Sequence, residues 1–224
     1  MRKECDLVKF FGKVTASMSH ELKNVFAIIQ ESLGLMQDIL SLPELENTPR
    51  KDRLEAVLLK LSDHVDKGVT LVGYLSRLAH IPDQDVEEKN LADMVDLVVA
   101  LTERLARLGQ VELNLENQAL SSLKVKTRPV DLLAALFYAI ESCLSLLPPG
   151  SSITLKPQHI KDWKGFRICC APYEIEAAEF TKAIKSLGTW PLIEETMEKL
   201  NGRAYVDGPP PQVILEVKEL PWNV

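Results

Sequence analysis

Apolar residues recur by threes and fours through the start of the chain, at Leu7, Phe11, Val14, Met18, Leu22, Val25, Ile29, Leu33, Met36 and Leu40. That repeat predicts a helix from Asp6 to about Leu42 that buries one narrow seam. Pro43 stops it, and Pro49 followed by Arg50–Asp52 opens a second helix with proline at its first turn. The second stripe is Leu54, Leu58, Leu61, Val65, Val72, Leu75 and Ala79, with Gly68 at its weak position. Two long helices with a short connection predict an antiparallel hairpin over residues 1–81. Phe10, Phe26, Ile28, Leu59, Leu71 and Leu78 add apolar surface beside both seams. A second copy of the hairpin would cover that surface and give a homodimer with a four-helix bundle; a C-terminal domain folded back over it is the alternative.

Residues 82–90 are polar and begin with Pro82, which predicts a linker. Over 91–224 helices and strands alternate. Helices are expected at Leu91–Leu108, Val130–Leu147, Ile175–Ser186 and Pro191–Leu200, and strands at Val111–Leu115, Ile153–Lys156, Phe166–Cys170, Arg203–Val206 and Val213–Lys218. This order predicts a two-layer α/β sandwich, so the chain as a whole reads as α+β.

Composition narrows the function. The formal charge of -6 arises from 32 acidic and 26 basic residues with no basic block, which argues against nucleic acid as a partner. No uninterrupted apolar run has the length of a membrane span, and Met1–Asp6 does not lead into a signal-peptide core, so no membrane association and a cytoplasmic location are expected. Cys5, Cys143, Cys169 and Cys170 contain no CxxC spacing and read as reduced thiols rather than a metal site.

The segment with the most chemistry is Ser17-Met18-Ser19-His20-Glu21-Leu22-Lys23-Asn24-Val25, inside the first helix. At about 100° per residue, His20 falls nearly opposite the seam residues Met18, Leu22, Val25 and Ile29, and is expected in solvent. Asn24 lies one turn further along the same face, with Lys13 and Glu31 on that side. An exposed imidazole beside the acid Glu21 is a competent nucleophile near neutral pH. A solvated surface histidine fits the same pattern.

His20-Glu21-Leu22-Lys23-Asn24 resembles the phosphoacceptor box of sensor histidine kinases, a His-Glu/Asp-x-x-Asn/Thr motif on the first helix of a dimerisation and histidine-phosphotransfer hairpin. The resemblance implies that His20 takes a phosphoryl group, Glu21 helps activate it, and Asn24 positions a water that dephosphorylates the partner regulator. The order of elements after residue 90 is similar to the ATP-binding domain of that family. Its nucleotide-binding residues are absent. Tyr138 and Ser142 stand where the family has asparagines, and neither replaces an amide as a magnesium or phosphate ligand. Cys170-Ala171-Pro172-Tyr173-Glu174 stands in place of an Asp-x-Gly-x-Gly, and Leu187-Gly188-Thr189-Trp190, with the single Gly188, in place of a glycine-rich phosphate turn.

These residues together imply a degenerate-kinase type of histidine phosphotransferase in a two-component phosphorelay. Such a protein exchanges the phosphoryl group on His20 with the aspartate of a response-regulator receiver domain, and also acts as a regulator phosphatase. No cofactor is expected on this chain, with Mg2+ supplied by the receiver. A divergent ATP-dependent histidine kinase and a non-catalytic dimeric adaptor for a receiver are the alternatives.

Overall fold

The computed structural model describes residues 2–41, 50–83, 85–116, 123–171 and 177–219. Within these the chain forms two compact units, one of residues 15–77 and one of residues 1–14 with 78–224.

The first unit is built from α1 (Arg2–Ser41) and α2 (Arg50–His80), close to the bounds expected from Pro43 and Pro49. The seam differs from the expected one. Ser17, Met18, Glu21, Val25, Ser32 and Ile39 of α1 are buried, as are Val57 and Leu71 of α2. Phe26, Leu33, Leu40, Leu58, Val65 and Val72 are exposed. Leu33, Leu40, Leu58, Val65 and Val72 of the predicted seam thus join Phe26 in a second, outer stripe displaced roughly a quarter turn from the inner one, whereas Met18 and Val25 are buried as expected. The two stripes share one periodicity, and spacing alone does not say which of them a partner helix covers. Gly68 marks the close approach of the helices, since a Cβ there would lie 3.3 Å from Val25 Cγ1.

The second unit is a sheet covered by helices on one face. Its strands β2 (Glu112–Leu115), β4 (Ser152–Ile160), β5 (Trp163–Ala171), β6 (Gly202–Asp207) and β7 (Gln212–Val217) lie in the order β2-β4-β5-β7-β6. Only the β2–β4 pair is parallel. Side chains alternate across the pleat. Ile153, Leu155, Phe166, Ile168, Cys170, Val213, Leu215 and Val217 are fully buried and form the core face. Helices α3 (Leu91–Leu108), α4 (Pro129–Leu146) and α6 (Trp190–Lys199) pack there, and α5 (Ala177–Ser186) joins α4 and α6. The side chain of Asn90 caps α3 by accepting from the Ala92 N–H at 2.9 Å. By length and composition α4 would suit a membrane span, but 67% of it is buried inside the unit, the pattern of a core helix.

Two short strands depart from the expected layout. β1 (Glu87–Asn90) lies inside the segment read as a linker and pairs antiparallel with β3 (Lys124–Thr127). Both are four residues long and rich in charge, without the apolar alternation that announces a strand.

On the polar face of the sheet, Gly165 pairs with Gln158 on one side and Glu216 on the other. Gln158 Nε2 donates to Glu216 Oε1 at 2.8 Å across it. A Cβ on Gly165 would meet the Leu215 carbonyl oxygen at 1.9 Å, so only glycine fits.

Candidate functional site

In the hairpin unit, His20 and Asn24 are both exposed, one helical turn apart on α1. Leu22 is partly covered and Val25 is buried, so the helix presents the imidazole away from its inner face. Glu21 behaves differently from its neighbour. It is only 7% exposed and turns toward α2, where Lys67 Nζ lies 3.9 Å from its Oε2. A carboxylate at that depth requires a compensating charge. Ser17, one turn before Glu21, is also buried, and its hydroxyl has no hydrogen-bond partner among the described residues. The box expected to act as one group is thus divided, with His20 and Asn24 facing solvent and Glu21 facing the second helix. Sequence spacing carries no signal for Lys67, because its pairing with Glu21 depends on how the hairpin closes.

In the α/β unit, the positions expected to have lost nucleotide ligands form contacts of their own. Tyr138 on α4 is buried, its ring 6.4 Å from Phe10 and 5.8 Å from Phe137 in edge-to-face geometry. Phe10, fully buried, also packs edge-on against Phe137 at 5.3 Å. Lys13 Nζ lies 2.7 Å from both carboxylate oxygens of Glu141 and 5.4 Å from the Tyr138 ring centroid. The first turns of α1 therefore belong to this unit and occupy the Tyr138 face of α4. Sequence reasoning placed Phe10 beside the hairpin seam instead.

One turn along α4, Ser142 donates to the Tyr138 carbonyl oxygen at 2.7 Å, and its hydroxyl lies 2.6 Å from that of Thr189. Thr189 stands at the N-cap of α6 but makes no side-chain cap, since its hydroxyl turns to α4. Gly188 is exposed and nothing lies within 4 Å of where its Cβ would be. Trp190 is buried, with its indole N–H unpartnered among the described residues. Cys170 and Ala171 end β5, while Pro172-Tyr173-Glu174 lie outside the described residues. Among the described residues no group of three or more His, Cys, Asp or Glu side chains is placed to hold a metal ion.

Among the described side chains Cys143 and Cys170 are buried thiols and Cys169 is half-buried. Cys143 on α4 is fully buried, and contact with Cys170 followed by burial pushes its thiol well above the usual range. His64 is half-buried, its Nδ1 2.8 Å from the Lys60 carbonyl oxygen, and His80 and His159 are exposed.

No family model matches the chain, and no curated protein matches it. Solved structures do. The nucleotide-free catalytic domain of histidine kinase ThkA aligns with 62% of this chain and 100% of its own length, at 15% identity and a TM-score of 0.52. A second ThkA structure, solved in complex with response regulator protein TrrA, aligns with 100% of this chain and 66% of its own, at 16% identity and a TM-score of 0.52. The fold is accordingly histidine-kinase-like: long N-terminal helices followed by a mixed α/β domain resembling histidine kinase ATP-binding domains.

Proposed function

We propose that this chain is a histidine phosphotransfer protein of two-component signalling that carries the phosphoryl group on His20 and exchanges it with a receiver aspartate. The observation that carries the reading is the exposed His20–Asn24 pair on the hairpin of a histidine-kinase-like fold. A response regulator as partner is supported by the kinase of similar fold that was solved with one.

The donor follows from α4. A magnesium–nucleotide site on this fold would need amide ligands and close backbone approach, whereas Tyr138 is packed among aromatic rings and Ser142 is bonded to Thr189. These residues do not fit the group, which supports a phosphoryl source outside the chain. In the transfer, His20 Nε2 attacks the phosphorus of the aspartyl phosphate. The N–P bond forms as the P–O bond breaks, the aspartate leaves as a carboxylate, and the surplus imidazole proton passes to water. Magnesium held by the receiver would neutralise charge on the phosphoryl oxygens. In a separate reaction on the same surface, Asn24 would orient a water that attacks the phosphorus of the regulator's aspartyl phosphate, the P–O bond to the aspartate breaking to release inorganic phosphate and the free carboxylate, the phosphatase reaction.

The outer stripe of α1 and α2 supports a homodimer. Phe26, Leu33 and Leu40, with Leu58, Val65 and Val72, form apolar rows too extensive to leave in water. His20 sits roughly 140° round α1 from the centre of its outer row at about 100° per residue, so a second copy seated there leaves the imidazole open.

The test is incubation with phosphorylated receiver domains and, separately, with magnesium-ATP, followed by detection of acid-labile phosphate on His20. Label from the receiver and none from ATP is expected. Label from ATP would establish a kinase instead, and label from neither leaves the adaptor reading.

A further inference from the structure

The helices of the α/β unit pack on one face of its sheet. On the opposite face, strand alternation brings Trp163 and Arg167 of β5 beside Glu216 of β7 and Arg203 of β6, with Lys218 just past the end of β7. The Arg203 guanidinium carbon lies 4.2 Å from the Trp163 ring centroid and the Lys218 ammonium 4.8 Å from it. Two cations therefore share one aromatic ring. Ile160, paired with Trp163 in the β4–β5 hairpin, is 47% exposed and extends the apolar surface of the ring.

The charges of this cluster do not cancel at its surface. Its central carboxylate, Glu216, is buried beneath it and is bonded to Arg203, Gln158 and the Tyr205 hydroxyl. Arg203 answers that charge. Arg167 donates through Nε to the neutral Gln158 at 3.0 Å, and Lys218 lies against the Trp163 ring; neither forms an ion pair among the described residues. The acids around the rim are engaged or set apart. Glu219 turns to Lys164 and Glu116 to Lys156, Asp162 sits in the β4–β5 turn beside exposed Lys161, and Asp207 ends β6. In a chain with a net charge of -6, two uncompensated cations around a half-buried tryptophan are an exception.

We propose that this face of the sheet docks an acidic segment of a partner protein, its carboxylates meeting Lys218 and Arg167 and an apolar side chain resting on Trp163 and Ile160. Charge complementarity selects that partner. Tryptophan, tyrosine and arginine are also the side chains that carry most of the binding energy in protein–protein interfaces. A nucleic acid or an anionic membrane would call for a wider basic field than two cations supply. The face contains none of the residues assigned to phosphoryl transfer, so the inference stands independently of that reading.

The test uses the full chain and a fluorescein-labelled octapeptide of six glutamates and two leucines, read by fluorescence anisotropy at about 50 mM and about 150 mM salt. Saturable binding is expected, weaker at the higher salt. Lys218→Gln and Arg167→Gln each weaken it by about threefold and the double variant by about tenfold, as expected of charges that face a partner. Lys185→Gln, at an exposed position of α5, leaves it unchanged. The unlabelled peptide shifts the tryptophan emission, and Trp163→Phe removes the shift.

Absence of binding at the lower salt overturns the proposal, as does binding that Lys185→Gln weakens as much as Lys218→Gln. Capture of the chain through Lys218 and Arg167 by phosphatidylserine vesicles or by a single-stranded oligonucleotide, at concentrations below those the peptide needs, also overturns it and assigns the face to a membrane or to nucleic acid.

Discussion

The hydroxyls of Ser142 on α4 and Thr189 before α6 lie 2.6 Å apart and tie the two helices together. Ser142 already donates its proton to the Tyr138 carbonyl, so Thr189 is the donor between them. Thr189 thereby gives up the capping role its residue type favours at a helix start.

Replacing either partner strands the other in a partly buried site. Ser142→Ala and Thr189→Val are each expected to lower stability by about 1 kcal/mol, with the double variant losing less than the sum. Denaturant midpoints of the three variants measure this coupling.

Glu216 presents a harsher case. It is 1% exposed and depends on Arg203 at 2.6 Å and on Gln158 across Gly165. Arg203 is itself stacked 4.2 Å from the Trp163 ring centroid. Arg203→Ala leaves a buried carboxylate without its cation and is expected to destabilise by about 3 kcal/mol, against less for Glu216→Gln, which keeps an acceptor for Gln158. Gly165→Ala, with its Cβ driven into the Leu215 carbonyl, is expected not to fold, as soluble expression and circular dichroism will report.

Tyr205 adds a pH dependence to the same network. Burial first, and then the Glu216 carboxylate, raise its phenol above the ordinary value near 10. A group whose pKa is raised by folding contributes stability that is fully present below its unfolded pKa and lost as pH rises through the folded one. Melting temperature should therefore fall above about pH 10, and the fall should be smaller in Tyr205→Phe.

Much of this architecture is legible in the sequence because proline, helical period and strand alternation act locally. Pro43 and Pro49 fall between α1 and α2, and α3 occupies the predicted Leu91–Leu108. The missed features are those decided by distant contacts. β1 and β3 are strands only because they pair with each other, Glu21 faces Lys67 because α2 closes on it, and Phe10 packs on Phe137 because the start of α1 joins the α/β unit. The site divides in the same way: His20 and Asn24 follow from helical geometry, whereas the engagement of Tyr138 and Ser142 required the packed helices.

The apolar rows of the hairpin give the most direct test of assembly. Phe26 and Leu33 on α1, and Leu58 and Val65 on α2, are exposed at heptad spacing, so they contribute little to the fold of one chain and would form the interface of the proposed dimer. Phe26→Ser with Leu33→Ser is expected to convert a dimer to a monomer in size-exclusion light scattering while the helical signal of the hairpin weakens only slightly. Met18→Ser, by contrast, removes a side chain from the inner seam and is expected to lower the melting temperature of the hairpin itself. An Asn24→Ala variant should remain dimeric and still accept phosphate on His20, but lose the water-directed dephosphorylation of a receiver, because Asn24 shares the imidazole's face and lies away from both seams. Were the outer rows not the interface, the Phe26 and Leu33 variants would stay dimeric.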